Sequence, residues 1–330
     1  MTINPLLKYF SFSQVLVDFK FESPVVQNKP KIGFLSLTVN GTCQPTFMGV
    51  SRLKNYTSED ILAMDYNQLI SVVRETNRPP GGTNSIFKIA QRSFLKPESN
   101  VLEIGTSTGF TAIELARLIG CQIKAIDINE ISLEEGKRRA EQLGVSHLIT
   151  FEQCDATQTG YAAESFEMVF CGNVTSLIAK REDALTEYQR VLKPNGFVAA
   201  IPMYYIKEPS NKLVQDVSEA IQVEIKPLKR DYWIDFFDRK PLQLYWAQDY
   251  YFEWIEDKKV EQFITVILKR PHLQELSQET QEVLFERYRQ FMYLFRDNLS
   301  HMGYTIMLLR KEKVQVDPEL FISHVVTTSG

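Results

Sequence analysis

Three acids and a turn of small residues carry the chemistry that this sequence offers. The turn is Gly105-Thr106-Ser107-Thr108-Gly109, entered from Val101-Leu102-Glu103-Ile104 and followed at once by Phe110-Thr111-Ala112-Ile113-Glu114-Leu115-Ala116. A short apolar run, a tight turn and a helical pattern bring backbone N–H groups up against a negatively charged or strongly polar ligand. Two further acids close apolar runs of the same kind: Asp127 after Ile123-Lys124-Ala125-Ile126, and Asp155 after Ile149-Thr150-Phe151-Glu152-Gln153-Cys154. An acid at the end of the second strand of such a unit is placed to accept from ribose hydroxyls. The ligand is therefore nucleotide-like. The dinucleotide pattern G-x-G-x-x-G is not what stands here, because Gly105 and Gly109 are four apart with no glycine between them.

The elements that must position these residues alternate strand and helix from 101 to 202. A fourth apolar run covers 166–171, and Arg190-Val191-Leu192-Lys193-Pro194-Asn195-Gly196-Phe197-Val198 closes a helix and opens a fifth strand. That alternation predicts a parallel sheet with right-handed crossovers and helices on both faces. Ligands of such sheets bind beyond the carboxyl ends of the strands. Gly105, Asp127, Asp155 and Asn173 can thus converge although far apart in sequence. Glu103-x-Gly105-x-Ser107-x-Gly109, the two strand-end acids and the Leu192-Lys193-Pro194-Asn195-Gly196 turn together resemble the class I S-adenosylmethionine-dependent methyltransferases. The likeness is specific over 101–202 and extends to the last thirty residues. Ser107 stands where the family has its middle glycine, and a serine is small enough for a close turn.

The resemblance implies an α/β, Rossmann-like, seven-stranded and mostly parallel sheet, with S-adenosyl-L-methionine as cofactor. It implies that Glu103, Gly105, Thr106, Ser107 and Gly109 form the cofactor loop. Asp127 would accept from both ribose hydroxyls and Asp155 would meet the adenine amine, with Ile128 and Ala156 directly behind them. Asn173 follows the fourth strand. Upstream, Gly81-Gly82-Thr83 is a candidate contact for the methionine end through free N–H groups at a helix start. An ordinary loop and helix cap is the alternative there.

Composition narrows the class of protein. The chain has 330 residues, 44% hydrophobic and 24% charged, ordinary for a soluble globular protein. Its net charge of -4 gives no electrostatic case for nucleic acid. The basic run 226–230 reads as solvated surface. Cys43, Cys121, Cys154 and Cys171 have no metal-ligand spacing, so no metal site and no disulfide framework are expected. Reduced cysteines and the lack of a secretory signal point to the cytoplasm. No apolar run reaches membrane-spanning length.

Residues 1–56 read as an N-terminal β extension. Residues 13–21 and 32–39 are strand-like, and Asn40-Gly41 is a turn signal. Its open roles are packing, homodimerisation or covering the substrate mouth. Residues 57–202 plus 276–330 read as the Rossmann-like domain. Within it Thr57 caps one helix running to about Thr76, a second helix runs to Phe94, and a long helix covers 279–298. The final strands at 303–310 and 320–326 form, by the resemblance, an antiparallel hairpin at the sheet edge. Residues 203–275 are an aromatic-rich cap insertion holding Trp233, Trp246 and Trp254. Those aromatics either form the core of a small cap or line a pocket.

The methyl acceptor is less legible. Tyr204 and Tyr205, directly past the fifth strand, are the candidate catalytic residues. N-methylating relatives often carry Asn/Asp-Pro-Pro-Tyr after the fourth strand, and here Cys171-Gly172-Asn173-Val174 stands instead. A hydroxyl acceptor wants a general base; a carboxylate does not. His272, His301 and His324 read as structural. The expectation is O-methylation, at a carboxylate or hydroxyl, of a small molecule or short-peptide natural product. N-methylation of a small molecule, and a cofactor-binding protein without turnover, are the alternatives.

Overall fold

In the computed structural model, residues 56–312 are described. The strand-like extension before residue 56, Cys43, His324 and the strand expected at 320–326 lie outside the described residues. The apolar runs of the nucleotide half become β1 (Asn100–Ile104), β2 (Gln122–Asp127), β3 (Ile149–Gln153), β4 (Phe166–Gly172) and β5 (Leu192–Ala200). All are paired in parallel in the order β3-β2-β1-β4-β5. β1, β4 and the second half of β5 are buried on both faces, which is why they read as continuous apolar runs, whereas β3 at the sheet edge alternates buried and exposed positions. One face carries Ile86, Ile89, Ala112, Leu115 and Leu133 from three helices. The other carries Ala184, Leu185 and Tyr188 from the Arg181–Val191 helix.

Beyond β5 the sheet turns antiparallel. It gains β6 (Met203–Tyr205), β7 (Leu242–Tyr251) and β8 (Met302–Lys311), with β8 pairing to β5, β6 and β7. The Rossmann-like, mostly parallel sheet is there, but it counts eight strands among the described residues rather than seven. Two of them come from 203–275, the stretch read as a cap. Its aromatics divide accordingly. Trp233, Phe236 and Phe237 are buried against the sheet with Tyr204, Leu242 and Met307. Residues 230–237 thus form an ordinary sheet-covering helix, and the apolar demand of a sheet face decided their destination.

The cap is built from other material. Ile61, Leu69 and Val72 pack with Val260, Ile264, Leu284, Tyr288 and Phe291 in a third cluster. The long helix, Gln278–Leu299, therefore packs with the Asp257–Leu268 helix. The boundary drawn at 275/276 runs between these two partners. The single helix expected over 57–76 is two, Ser58–Ala63 and Tyr66–Val72. Asp65 explains the break: its carboxylate accepts from Gln68 N while the Gln68 side chain accepts from Asp65 N, a capping box that starts a new helix. Among the described residues no helix is long and apolar enough to cross a membrane.

Candidate functional site

The small-residue turn leaves β1 with Gly105 at φ +67° and Ser107 at φ +48°. A Cβ on Gly105 would lie 2.4 Å from a methyl of Val174, so the position demands glycine on both conformational and steric grounds. Ser107 takes the left-handed region without being glycine. Its N–H donates to Asp127 Oδ2 at 2.8 Å, so the departure from the family pattern is held by the neighbouring strand. Asp127 Oδ1 accepts from Asn129 N at 2.9 Å. Burial pushes the Asp127 carboxyl up and these backbone donors pull it back. Asp155 is exposed, and its Oδ1 accepts from both Thr157 N and Thr157 Oγ1 at 2.8 Å. Those bonds hold its carboxyl below the usual range.

Glu103 is 3% exposed. Gly109, at the start of the Phe110–Ile119 helix, has no side chain to cap it, and Glu103 does the work from β1. Its Oε2 accepts from Ala112 N at 3.0 Å and Thr106 Oγ1 at 2.6 Å. Burial dominates over these bonds and raises the Glu103 carboxyl to about 7. Loop and helix are thus locked to a group that titrates near neutrality.

A cavity of about 1130 Å³ opens over these residues. Glu103, Gly105, Thr106, Ser107, Asp127, Ile128, Asp155, Ala156, Asn173, Tyr204 and Tyr205 all line it. Thr83 and Gly109 do not. The helix start approaches through Gly81 instead, which lines the cavity at φ +76° where a Cβ would fall 2.5 Å from Tyr304 Oη. The volume exceeds the roughly 300–1,000 Å³ of one drug-sized ligand site. It has room for a nucleotide-like cofactor and a second molecule.

Neither tyrosine hydroxyl is free. Tyr204 Oη reaches Asp249 Oδ1 at 3.5 Å and Thr305 Oγ1 at 3.3 Å. Asp249 is itself clamped by Arg230 Nε at 2.9 Å and Thr305 Oγ1 at 2.6 Å. Tyr205 Oη donates to Asn298 Oδ1 at 2.6 Å. Asn173 Oδ1 accepts from Met203 N at 2.9 Å and so ties the end of β4 to the start of β6. No histidine lines the cavity among the described residues: His272 is spent on Val72 O at 3.1 Å, and His301 on Asp297 O at 2.8 Å. Burial lowers the His272 imidazole. Among the described residues no group of three or more metal-ligating side chains occurs.

Sequence reasoning missed the arm that leads in from the cap. Asn77, Arg78, Pro79 and Pro80 line the cavity. Thr108, inside the turn, donates to Glu75 O at 3.2 Å and accepts from Asn77 N at 3.3 Å. Tyr288 of the long helix donates to Glu75 Oε2 at 2.6 Å, and guanidinium groups of Arg139 and Arg270 both reach Arg74 O. The Pro79-Pro80 break was the available signal. Nothing local marks Glu75 as the joint between cap and loop.

The family model described as a methyltransferase domain matches residues 101–196. A protein of Haemophilus influenzae described as uncharacterized is 27% identical over 165 residues, 49% of this chain and 66% of that one. The ubiquinone/menaquinone biosynthesis C-methyltransferase UbiE of Azotobacter vinelandii is 28% identical over 152 residues, 45% of this chain and 59% of that one. The chain spans 58 to 66% of the length of the curated relatives it matches. Among solved structures, the MccD protein matches with a TM-score of 0.62 at 26% identity, over 72% of this chain and 100% of that one. The cyclase SpnF matches with a TM-score of 0.57 at 17% identity, over 78% of this chain and 97% of that one, a likeness of fold.

Proposed function

Residues 101–196 form a class I S-adenosylmethionine-dependent methyltransferase domain, and we propose that the chain built on it methylates a small, largely apolar acceptor that needs no histidine base. The cofactor is S-adenosylmethionine. When bound it supplies a methyl group on a sulfonium, an electrophile that asks for positioning and exclusion of water more than for acid–base help. The residues present suit it. Asp127 offers a carboxylate for hydroxyls, Glu103 a buried acid near loop N–H groups, and Gly105 a close backbone approach.

The observation that carries the reading is the double lining of the cavity. Gly105, Ser107, Asp127 and Asp155 line it together with Tyr66, Phe252, Phe295 and Met302. The second set offers apolar area and closes against the cap. With no histidine on the wall among the described residues, a carboxylate oxygen is the acceptor atom that best suits the site, being ionised well below neutral pH. The acceptor is a small molecule or short peptide of natural-product type. Methylation at carbon is the second reading, favoured by the likeness to relatives named as C-methyltransferases. A fold of this kind does not by itself decide the chemistry.

Calorimetry should give binding of S-adenosylmethionine and of its demethylated product, with no binding of NAD. The acceptor atom is decided with methyl-labelled cofactor and aryl or alkyl carboxylic acids. A methyl ester releases its label as volatile methanol in alkali, whereas a C–CH3 or ether product keeps it. Alkali-stable label in ring acceptors, with none in the acids, would overturn the ester assignment.

A further inference from the structure

The last turn of the long helix places one amide where the cap meets the sheet. Asn298 is 5% exposed and lines the cavity, beside Tyr205 and Met302, which pair across β6 and β8. Tyr205 Oη donates to Asn298 Oδ1 at 2.6 Å, and Asn298 Nδ2 faces the thioether of Met302 at 3.3 Å. In this orientation the amide oxygen takes the tyrosine proton, and a flip would set that oxygen against the sulfur. An amide nitrogen carries two donors, and a thioether is a weak acceptor for even one of them. Among the described residues, Met302 Sδ is the only acceptor Nδ2 has. Phe295 and Leu299, which line the cavity from the same helix, have side chains without an acceptor.

Burying a strong donor against a poor acceptor is costly, and a side chain that only accepts would satisfy Tyr205 Oη without that cost. The bond from Tyr205 polarises the amide and makes Nδ2 a better donor toward the cavity. We propose that Asn298, polarised by Tyr205, seats the methyl acceptor by donating to one of its oxygens. The acceptor is then an apolar molecule bearing a carboxylate, carbonyl or phenolic oxygen. This rests on reading the cavity as a joint cofactor and acceptor site. Asn298 binds and orients; the proton inventory of the reaction does not pass through it.

The test uses the full chain loaded with S-adenosylhomocysteine and four probes: benzoate, phenol, acetophenone and toluene. The side-chain amide signals of Asn298 are assigned in nitrogen-15 spectra by their loss in Asn298→Leu. The three oxygenated probes should shift that pair, and toluene should not. Asn298→Leu should lose about tenfold in benzoate affinity, the scale of one hydrogen bond, while toluene and S-adenosylhomocysteine bind within twofold of wild type. Tyr205→Phe should show a smaller loss for benzoate, because the donor stays and only its polarisation goes. If no oxygenated probe moves the Asn298 pair, or if Asn298→Leu keeps its benzoate affinity, the proposal fails while the methyltransferase reading stands. If Asn298→Leu does not fold, the wild-type shifts and Tyr205→Phe decide. Absence of S-adenosylhomocysteine binding to wild type would remove both.

Discussion

The two sides of the cavity satisfy their polar groups in opposite ways. On the loop side, carboxylates meet backbone donors close in sequence: Asp155 with Thr157, Asp127 with Asn129 and Ser107, Glu103 with Ala112. The separations are 2, 2, 20 and 9 residues. On the cap side, which takes in the antiparallel strands β6, β7 and β8 as well as the helical cluster, side chains meet other side chains across 45, 56, 93 and 213 residues, in Tyr204–Asp249, Thr305–Asp249, Tyr205–Asn298 and Tyr288–Glu75. Backbone donors survive most substitutions, so the loop side is a grip that many sequences can share. Side-chain pairs vanish with either partner. The match to the family model, residues 101–196, covers the strands and turns of the loop side and none of the cap-side pairs.

The largest expected effect tests the rigidity of the loop side. Gly105→Ala puts a methyl group into Val174 and a side chain at φ +67°. The left-handed backbone alone costs about 1–2 kcal/mol. Cofactor affinity should fall more than tenfold in calorimetry, and a loss below twofold would mean that the loop is soft and the contrast overstated. Next comes Asp127→Ala, with an expected loss of about 1.5–3 kcal/mol in cofactor binding, the range for hydrogen bonds to a charged group. Asp155→Ala should cost less, because Asp155 is exposed and satisfied by Thr157. An equal loss for both would erase the difference between a half-buried and a solvated acid.

A third expectation concerns pH. The Glu103 carboxyl lies at about 7 in the folded protein and near 4.5 as an ordinary glutamate. The folded state therefore holds the proton more tightly. The stability this contributes is fully present below about 4.5 and is lost as pH rises through about 7. A cofactor carrying positive charge favours the ionised form. Its affinity should therefore rise through the same window, by at most about tenfold per pH unit for one proton, with proton release on binding. Glu103→Gln should flatten that rise. A wild-type affinity independent of pH between 5.5 and 8.5 would falsify the coupling. The smallest effect is expected for Tyr204→Phe. Its hydroxyl is turned to Asp249 and Thr305 at long distances, so turnover should stay within about twofold. A tenfold drop would put Tyr204 in the chemistry and weaken the assignment of the cap side to orientation alone.

What the sequence determined by itself is the loop side. The strand, turn and helix around Gly105, the acids Asp127 and Asp155, and the strand–helix alternation of the first five strands follow from patterns of two to twenty residues. Hydrogen bonds between near neighbours and the period of the apolar residues encode them. Thr83 shows the limit even there, since Gly81 rather than Thr83 reaches the cavity. Tertiary structure alone decided the cap side. The apolar faces of residues 230–237, 257–268 and 278–299 look alike as amphipathic stretches. Which of them covers the sheet and which packs on Ile61 and Leu69 depends on competition among all of them for buried area. Glu75 and Asn298 carry no local mark, because each acquires its partner only when Tyr288 and Tyr205 arrive from distant segments. Hydrophobic burial is not directional, so a sequence can announce that a face will be buried without saying against what.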